Sequence, residues 1–433
     1  MTQPALLRDR SFRGFLGAQF LGAFNDNLFK QIVLLLAAGT LFPGEDKQGL
    51  AFAVFAAPFV LLGGVAGEVS ERFSKSRIMV LMKVFEIAIL GAGMAALATM
   101  SWGAMLAVLA LMGVHSAFFG PCKYGGLPEM VGGGPRLLSA NAIVAMTTFL
   151  AVLLGGALPG PLMDRLTGSV WLVGVPCVLF AVIGLGFALR IAPLPPQRPT
   201  LRLRLNPFAG LGETLRSLTE RPALFAIVIG MSLFWFNGGV LNQAINGMAA
   251  PAWLDIPEGE KSRISWLLMA QSVSIVVGSL AAAPLARRFA PHRVVLTGAV
   301  GMVAAQVALL AIGPVFTPST GAYGYAVACL LCTGLFGALF FVPINAYLQQ
   351  AIEAGGRGRA FAANNFLNFL FIFLGGAWYL GFRGQLGLSP TLCTAMAGLV
   401  MLAYLLRRAH HLESITFGGA SPKDAEASER ETP

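Results

Sequence analysis

An aspartate and a lysine stand one helical turn apart inside an otherwise apolar stretch: Asp26 and Lys30 in QFLGAFNDNLFK, residues 19–30. An ionisable group at the centre of a membrane helix costs about 2.5–3.5 kcal/mol on insertion scales, so two of them need a reason. Counted from Arg13 at about 1.5 Å per residue, Asp26 falls near mid-bilayer. Gln19, Asp26 and Lys30 follow helical spacing and share one face; Asn25 and Asn27 flank it, and Gly22 and Ala23 leave room beside it. This combination reads as the polar wall of a central cavity. The alternative is an internal i,i+4 pair that only neutralises two charges. That explains how the pair survives, but not why it is there.

Other apolar runs offer partners. Lys123 follows FFGP at 118–121, where the proline would break the helix and turn the amine inward; snorkelling to the interface is the other reading. Lys83 and Glu86 read as a near-interface pair, and His115 as a packed, hydrogen-bonded residue. The seventh run carries Asn237, Asn242, Gln243 and Asn246, and the eleventh Asn364, Asn365 and Asn368. Singly, such amides are interhelical glue. Concentrated on the first, seventh and eleventh runs they suggest a lined cavity, with Asn242 and Asn246 one turn apart as members. The five cysteines show no paired spacing for a disulfide framework. Cys329 and Cys332 form a C-x-x-C with no histidine near, and read as small packed residues rather than a metal site. No nucleophile–base cluster is visible, so neither an enzyme nor a cofactor is expected.

The elements that must position these residues are apolar spans. Of 433 residues 56% are hydrophobic and only 12% charged, and mean hydropathy is +0.73. Soluble domains carry about 25% charged residues. Runs near the 20 residues needed to span a bilayer lie at 14–41, 50–69, 78–100, 102–121, 137–162 and 169–191. A second set lies at 223–249, 264–286, 293–313, 321–350, 359–382 and 388–406. The first run follows Arg8, Arg10 and Arg13 but is too long for a signal peptide and reads as a retained helix. Of the 30 lysines and arginines, Lys47, Arg165, Lys261, Arg263 and Arg383 fall on one side, Lys30 lies in a span, and the rest fall on the side of both termini. The positive-inside rule then places both termini in the cytoplasm. The net charge of +10 is membrane orientation, not a nucleic-acid surface.

The two sets repeat each other. AFFGP at 117–121 returns as LFFVP at 339–343, ERFSKSRIMV at 71–80 as RRFAPHRVVL at 287–296, and SANA at 139–142 as AANN at 362–365. The expectation is an all-α polytopic membrane protein of about twelve helices in two pseudo-symmetric six-helix halves. The halves would be 1–191 and 223–407, with a basic cytoplasmic linker at 192–222 and a disordered tail at 408–433. That organisation is the major facilitator architecture, with substrate near the midplane between halves. GEVSERFSKSR at 67–77 resembles the loop signature of that superfamily, with Glu71 where aspartate is usual and Ser74 where glycine is usual. Glu71 and Arg72 would form a charge cluster that locks one conformation; plain positive-inside anchoring is the alternative.

AQFLGAFNDNLFK (18–30), FFGPCKYGGLPEMV (118–131) and SANA (139–142) together resemble the bacterial lysophospholipid transporter family. The resemblance implies a flippase of the bacterial inner membrane. It would move lyso-phosphatidylethanolamine and lyso-phosphatidylglycerol from the outer to the inner leaflet, where a cytosolic-side acyltransferase/acyl-carrier-protein synthetase restores the second chain. It implicates Asp26, Asn25, Asn27, Lys30 and Lys123, with an aspartate and a lysine holding opposite ends of the head group. Some members carry an arginine where Asn242 stands, so a phosphate clamp is weaker here. The chain ends at 433 with no acyltransferase motif, so a separate enzyme is expected. The rival expectation is a proton-coupled exporter of drugs or small metabolites with Asp26 as the proton carrier.

Overall fold

A computed structural model describes residues 6–132, 135–203, 216, 219–353 and 357–413. The middle of the expected linker, 204–215 with 217 and 218, and the tail beyond 413 lie outside the described residues. The first half comprises α1 (Arg10–Leu35), α2 (Gln48–Arg72), α3 (Lys75–Ala98), α4 (Trp102–Val131), α5 (Pro135–Ala157) and α6 (Gly174–Ala188). A short helical piece, Pro159–Arg165, continues α5. The second half comprises α7 (Pro222–Gly247), α8 (Ser262–Arg288), α9 (Pro291–Ala308), α10 (Thr320–Glu353), α11 (Arg357–Tyr379) and α12 (Pro390–Arg407). Eleven spans meet the length and apolarity needed to cross a membrane. The remaining long helix, α1, is the one loaded with Gln19, Asn25, Asp26, Asn27 and Lys30.

Apolar sequence becomes helix here because lipid offers backbone N–H and C=O groups no partners, so each span must satisfy its own. Local signals set the ends. Asp9 caps α1, its Oδ1 accepting from Ser11 N–H at 2.8 Å and Phe12 N–H at 3.1 Å. Ser389 caps α12, and Pro222, Pro291 and Pro390 occupy first turns. After α1 a π-turn, Leu36–Thr40, ends the helix at Gly39, whose φ of 151° disfavours any other residue.

Packing follows the repeat. In the first half α1 lies against α5 and α6, α2 against α4, and α3 against α4 and α6. In the second, α7 lies against α11 and α12, α8 against α10, and α9 against α10 and α12. The halves meet along two seams, α2 with α11 and α5 with α8. At the first seam Gly49 and Gly376 bring backbones together: a Cβ at Gly376 would lie 2.7 Å from the Ala53 nitrogen. Small residues of this kind permit close helix approach where no hydrophobic force acts between helices. Phe59 and Phe369 stack across the same seam with centroids 3.9 Å apart.

Candidate functional site

On α1, Asp26, Asn27 and Lys30 are each partly exposed although the helix packs against α5, α6, α2 and α4. Together they form the polar face of α1. Lys30 Nζ donates to Asn27 Oδ1 at 3.0 Å and lies 5.1 Å from the centre of the Phe55 ring and 5.5 Å from that of Phe52. Asn27 is itself anchored by donating to the Ala23 carbonyl at 2.8 Å. Asp26 Oδ2 accepts from the Ser116 hydroxyl of α4, while Oδ1 is without a partner among the described residues. Lys30 therefore does not neutralise Asp26 by direct contact among the described residues, and the unpartnered Asp26 oxygen is buried.

Behind this face lies a buried charge set built on the expected Lys83–Glu86 pair. Lys83 and Glu86 are 0% and 1% exposed and 2.6 Å from each other, enclosed by protein. Glu86 Oε1 accepts from Asn25 Nδ2 at 2.8 Å, and His115 Nε2 lies 3.5 Å from Glu86 Oε2. His115 Nδ1 sits 3.2 Å from Ser116 Oγ, so a continuous polar chain runs from Asp26 through Ser116 and His115 to Glu86 and Lys83. Asn25 is thus a support, fully buried, rather than a lining residue. Gly22 makes room for the Lys83 ammonium, since a Cβ there would lie 2.7 Å from Nζ. The sequence signal that could have found this set was Gly22 beside two charges inside one apolar run.

Gln19 and Lys123 are also buried, and the structure brings them together. Gln19 Nε2 donates to Thr147 Oγ1 at 2.7 Å, Gln19 Oε1 accepts from Thr148 at 3.0 Å, and Lys123 Nζ donates to Thr148 Oγ1 at 2.9 Å. The expected break at Pro121 does not occur. α4 runs on through Pro121 and Pro128 to Val131, as membrane helices tolerate where neighbours supply packing. Lys123 reaches inward because α5 offers it a hydroxyl, not because the helix ends.

Asn242 and Asn246 part company. Asn242 is partly exposed, with Oδ1 unpartnered among the described residues. Asn246 is fully buried and belongs to no cavity wall: Oδ1 accepts from Gln31 at 2.7 Å and Nδ2 donates to Gln48 Oε1 at 2.8 Å. It is part of a seal. The described hydrogen bonds between halves gather at the end remote from the termini. There Asp46 accepts from Tyr379 at 3.0 Å and lies 3.6 Å from Arg383 Nε, and Gln48 donates to the Gln243 carbonyl at 3.3 Å. Asp164 accepts from the Lys261 and Ser262 backbone N–H groups at 2.7 Å each, capping α8 from the other half. Burial raises the Asp46 carboxyl above its ordinary range, against hydrogen bonds from Gln48 and Tyr379 and the Arg383 charge. Glu258 at the same end is opposed by burial yet held below its usual range by Lys261 and Thr40.

Glu71 and Arg72 do not pair with each other. Glu71 holds Arg198, with Oε2 to Nη1 at 3.3 Å, and Arg72 lies over the Phe73 ring at 5.4 Å. The cysteines of the C-x-x-C are free thiols on α10.

Comparison with known proteins agrees with this architecture. The sequence profile of the Major Facilitator Superfamily matches residues 15–376. The lysophospholipid transporter LplT of Cronobacter sakazakii is 30% identical over 361 residues, covering 83% of this chain and 85% of that protein. The LplT of Photorhabdus laumondii is 29% identical, with 84% and 86% covered. Among solved structures, the peptide transporter POT superposes with a TM-score of 0.66 at 15% identity over 96% of this chain and all of that one. The Escherichia coli fucose:proton symporter FucP gives 0.57 at 17% identity, covering 92% and 98%. These two support the fold alone. The chain belongs to the major facilitator superfamily, as a multi-pass membrane transporter of its lysophospholipid transporter family.

Proposed function

We propose that this chain moves lysophospholipids, with ethanolamine or glycerol head groups, from the outer to the inner leaflet of a bacterial inner membrane. The observation that carries the reading is the α1 face. Among the described residues Asp26 has a buried carboxylate oxygen without a hydrogen-bond partner, and Lys30, one turn on, carries an ammonium that meets an amide and two ring faces. A lysophospholipid head bears a phosphate and, in the ethanolamine lipid, an ammonium, so Lys30 takes the phosphate and Asp26 the ammonium. Asn27 holds Lys30 in place, and Asn242 on α7 would add an uncharged hydrogen-bonding group. The single acyl chain stays in lipid, leaving through a seam between halves. Phe59 and Phe369, stacked across the α2–α11 seam, form an apolar boundary that a chain can replace contact for contact.

Both termini are placed in the cytoplasm by the lysine and arginine bias. The sealed end is then periplasmic, and the conformation is inward-facing, ready to release to the inner leaflet. There a cytosolic-side acyltransferase/acyl-carrier-protein synthetase would reacylate the lipid. Glu71 and Arg72 remain candidates for a cytoplasmic gate in the opposite conformation, where Glu71 would exchange Arg198 for a partner in the second half.

The test is uptake in spheroplasts lacking their own transporter, given labelled lyso-phosphatidylethanolamine outside and followed to the diacyl lipid. Conversion by wild type that fails in Asp26→Ala, at equal membrane level, is the expected result; no conversion by well-expressed wild type would remove the lipid assignment. One observation favours proton-coupled export of small solutes: the chain from Asp26 through Ser116 and His115 to Glu86. Transport that collapses with protonophore and in Asp26→Asn would move that reading to first place.

A further inference from the structure

The segment that follows α6 does not leave the bundle directly. Ala192 N–H donates to Ser11 Oγ at 2.9 Å, Leu194 N–H to Ser76 Oγ at 3.1 Å, and Arg198 N–H to the Glu71 carbonyl at 2.9 Å. The Arg198 guanidinium adds an ion pair to the Glu71 carboxylate at 3.3 Å, and the Leu194 side chain is buried. Between these anchors stand Pro193, Pro195 and Pro196, whose rings stiffen the backbone. A segment tied down at four points and built from proline is a wall, not a loose connection.

That wall closes one side of a groove of about 690 Å3, whose other sides are the end of α2, the first turns of α3 and Phe118 of α4. The lining is apolar, from Phe73, Leu81, Met82 and Phe118 among others, and its polar members are Ser74 and Arg77. Phe73 is 46% and Leu81 61% exposed, and Arg77, Leu81 and Val84 form an exposed stripe down α3. None of Asp26, Asn27 and Lys30 lines it. The groove therefore opens sideways to the bilayer, outside the space between the halves. Arg77 sits within the first turn of α3, where the helix leaves the polar boundary.

We infer that this groove holds one anionic phospholipid of the leaflet on the side of the termini, with an acyl chain along Leu81 and Phe118 and its phosphate on Arg77. An exposed apolar groove in a membrane span fills with acyl chain, and its volume lies in the range of ordinary ligand pockets. A guanidinium at the interface end of such a groove complements a phosphodiester by charge and by its forked donors. The site rests on the membrane-spanning fold and not on the identity of the transported lipid, so it stands or falls separately from the transport assignment. The duplication provides an internal control. Arg293 and Phe289 occupy the same places in the second half, both exposed, without a proline wall among the described residues.

The experiment uses the full chain in nanodiscs of phosphatidylcholine containing a small fraction of phosphatidylglycerol with a photoactivatable acyl chain, and maps the labelled residues by mass spectrometry. Labelling should concentrate on Leu81, Phe118 and Phe73, exceed that from a phosphatidylcholine probe of the same chain, and fall about tenfold in Arg77→Gln, the size expected when a charge-assisted contact is lost. Arg293→Gln should leave the pattern unchanged. Equal labelling around Phe289 and Leu81 would mean ordinary boundary lipid and overturn the site. So would labelling at Leu81 that is indifferent to Arg77.

Discussion

In the proposed binding face Asp26 and Lys30 would act as two separate charges, because each is held by a neutral partner, Ser116 and Asn27 respectively. Replacing either should weaken lysophospholipid transport by the loss of one charged hydrogen bond, about 1.5–3 kcal/mol or roughly 10–100-fold. Lys30→Ala should lower transport of ethanolamine and glycerol lipids alike, while Asp26→Ala should fall harder on the ethanolamine lipid, whose ammonium it meets; competition uptake with both labelled lipids checks the split. The buried set behind them behaves differently. Glu86→Gln leaves the Lys83 ammonium in the core without its counter-charge, at a cost of about 3–5 kcal/mol. The double change Lys83→Met with Glu86→Met should recover much of that, which thermal unfolding in detergent would show as a partial return of Tm. Gly22→Ala should resemble the single change, since the new methyl displaces the ammonium from its slot.

At the scale of elements, the seal at the end remote from the termini depends on backbones that touch. Gly376 stands against Ala53 and Gly49, so Gly376→Val should hold α11 away from α2 at that end. Alkylation of a cysteine placed at Gln243, which is fully buried in the closed end, should rise from negligible to measurable in that variant. Asp164 contributes from the other seam. Its carboxylate serves as an N-cap for α8, a role it can play only while the halves are closed. Asp164→Ala should shift the balance toward opening of that end by about 1 kcal/mol, the usual worth of a cap, read as increased alkylation at the same reporter.

For the molecule as a whole, the seal should respond to pH through Asp46. In the closed form burial raises its pKa; in an open form the same carboxyl meets water and returns toward its ordinary value. The closed form therefore binds the proton more tightly, and by linkage it gains population as pH falls through the raised pKa and loses it as pH rises. Around Asp46 stand Arg383, Tyr379 and Gln48, with Glu45 and Lys47 paired with each other beside it. Spin labels at Glu45 and Glu260 should report a larger short-distance population at acidic than at neutral pH, and Asp46→Asn should flatten the change. A dependence of opposite sign would mean that the Arg383 pair outweighs burial.

The sequence by itself determined the spans, their duplication, the family, and the polar face of α1. Each rests on something local: a run of apolar residues long enough to cross a bilayer, motifs returning in order, and spacings of one and two turns. Only the tertiary structure decided that Asn242 stays partly exposed while Asn246, one turn on, closes the seal. It alone showed that Lys83 and Glu86 of α3 meet His115 of α4 with Asn25 of α1 bonded to Glu86, that Asp46 and Asp164 bind across the halves, and that the segment after α6 walls a groove. The physical reason is the solvent. Lipid tails are as apolar as a protein core, so a membrane helix shows little hydrophobic contrast between its faces. Without that contrast the sequence states that a polar residue is in the membrane, and only its neighbours in space state which way it points.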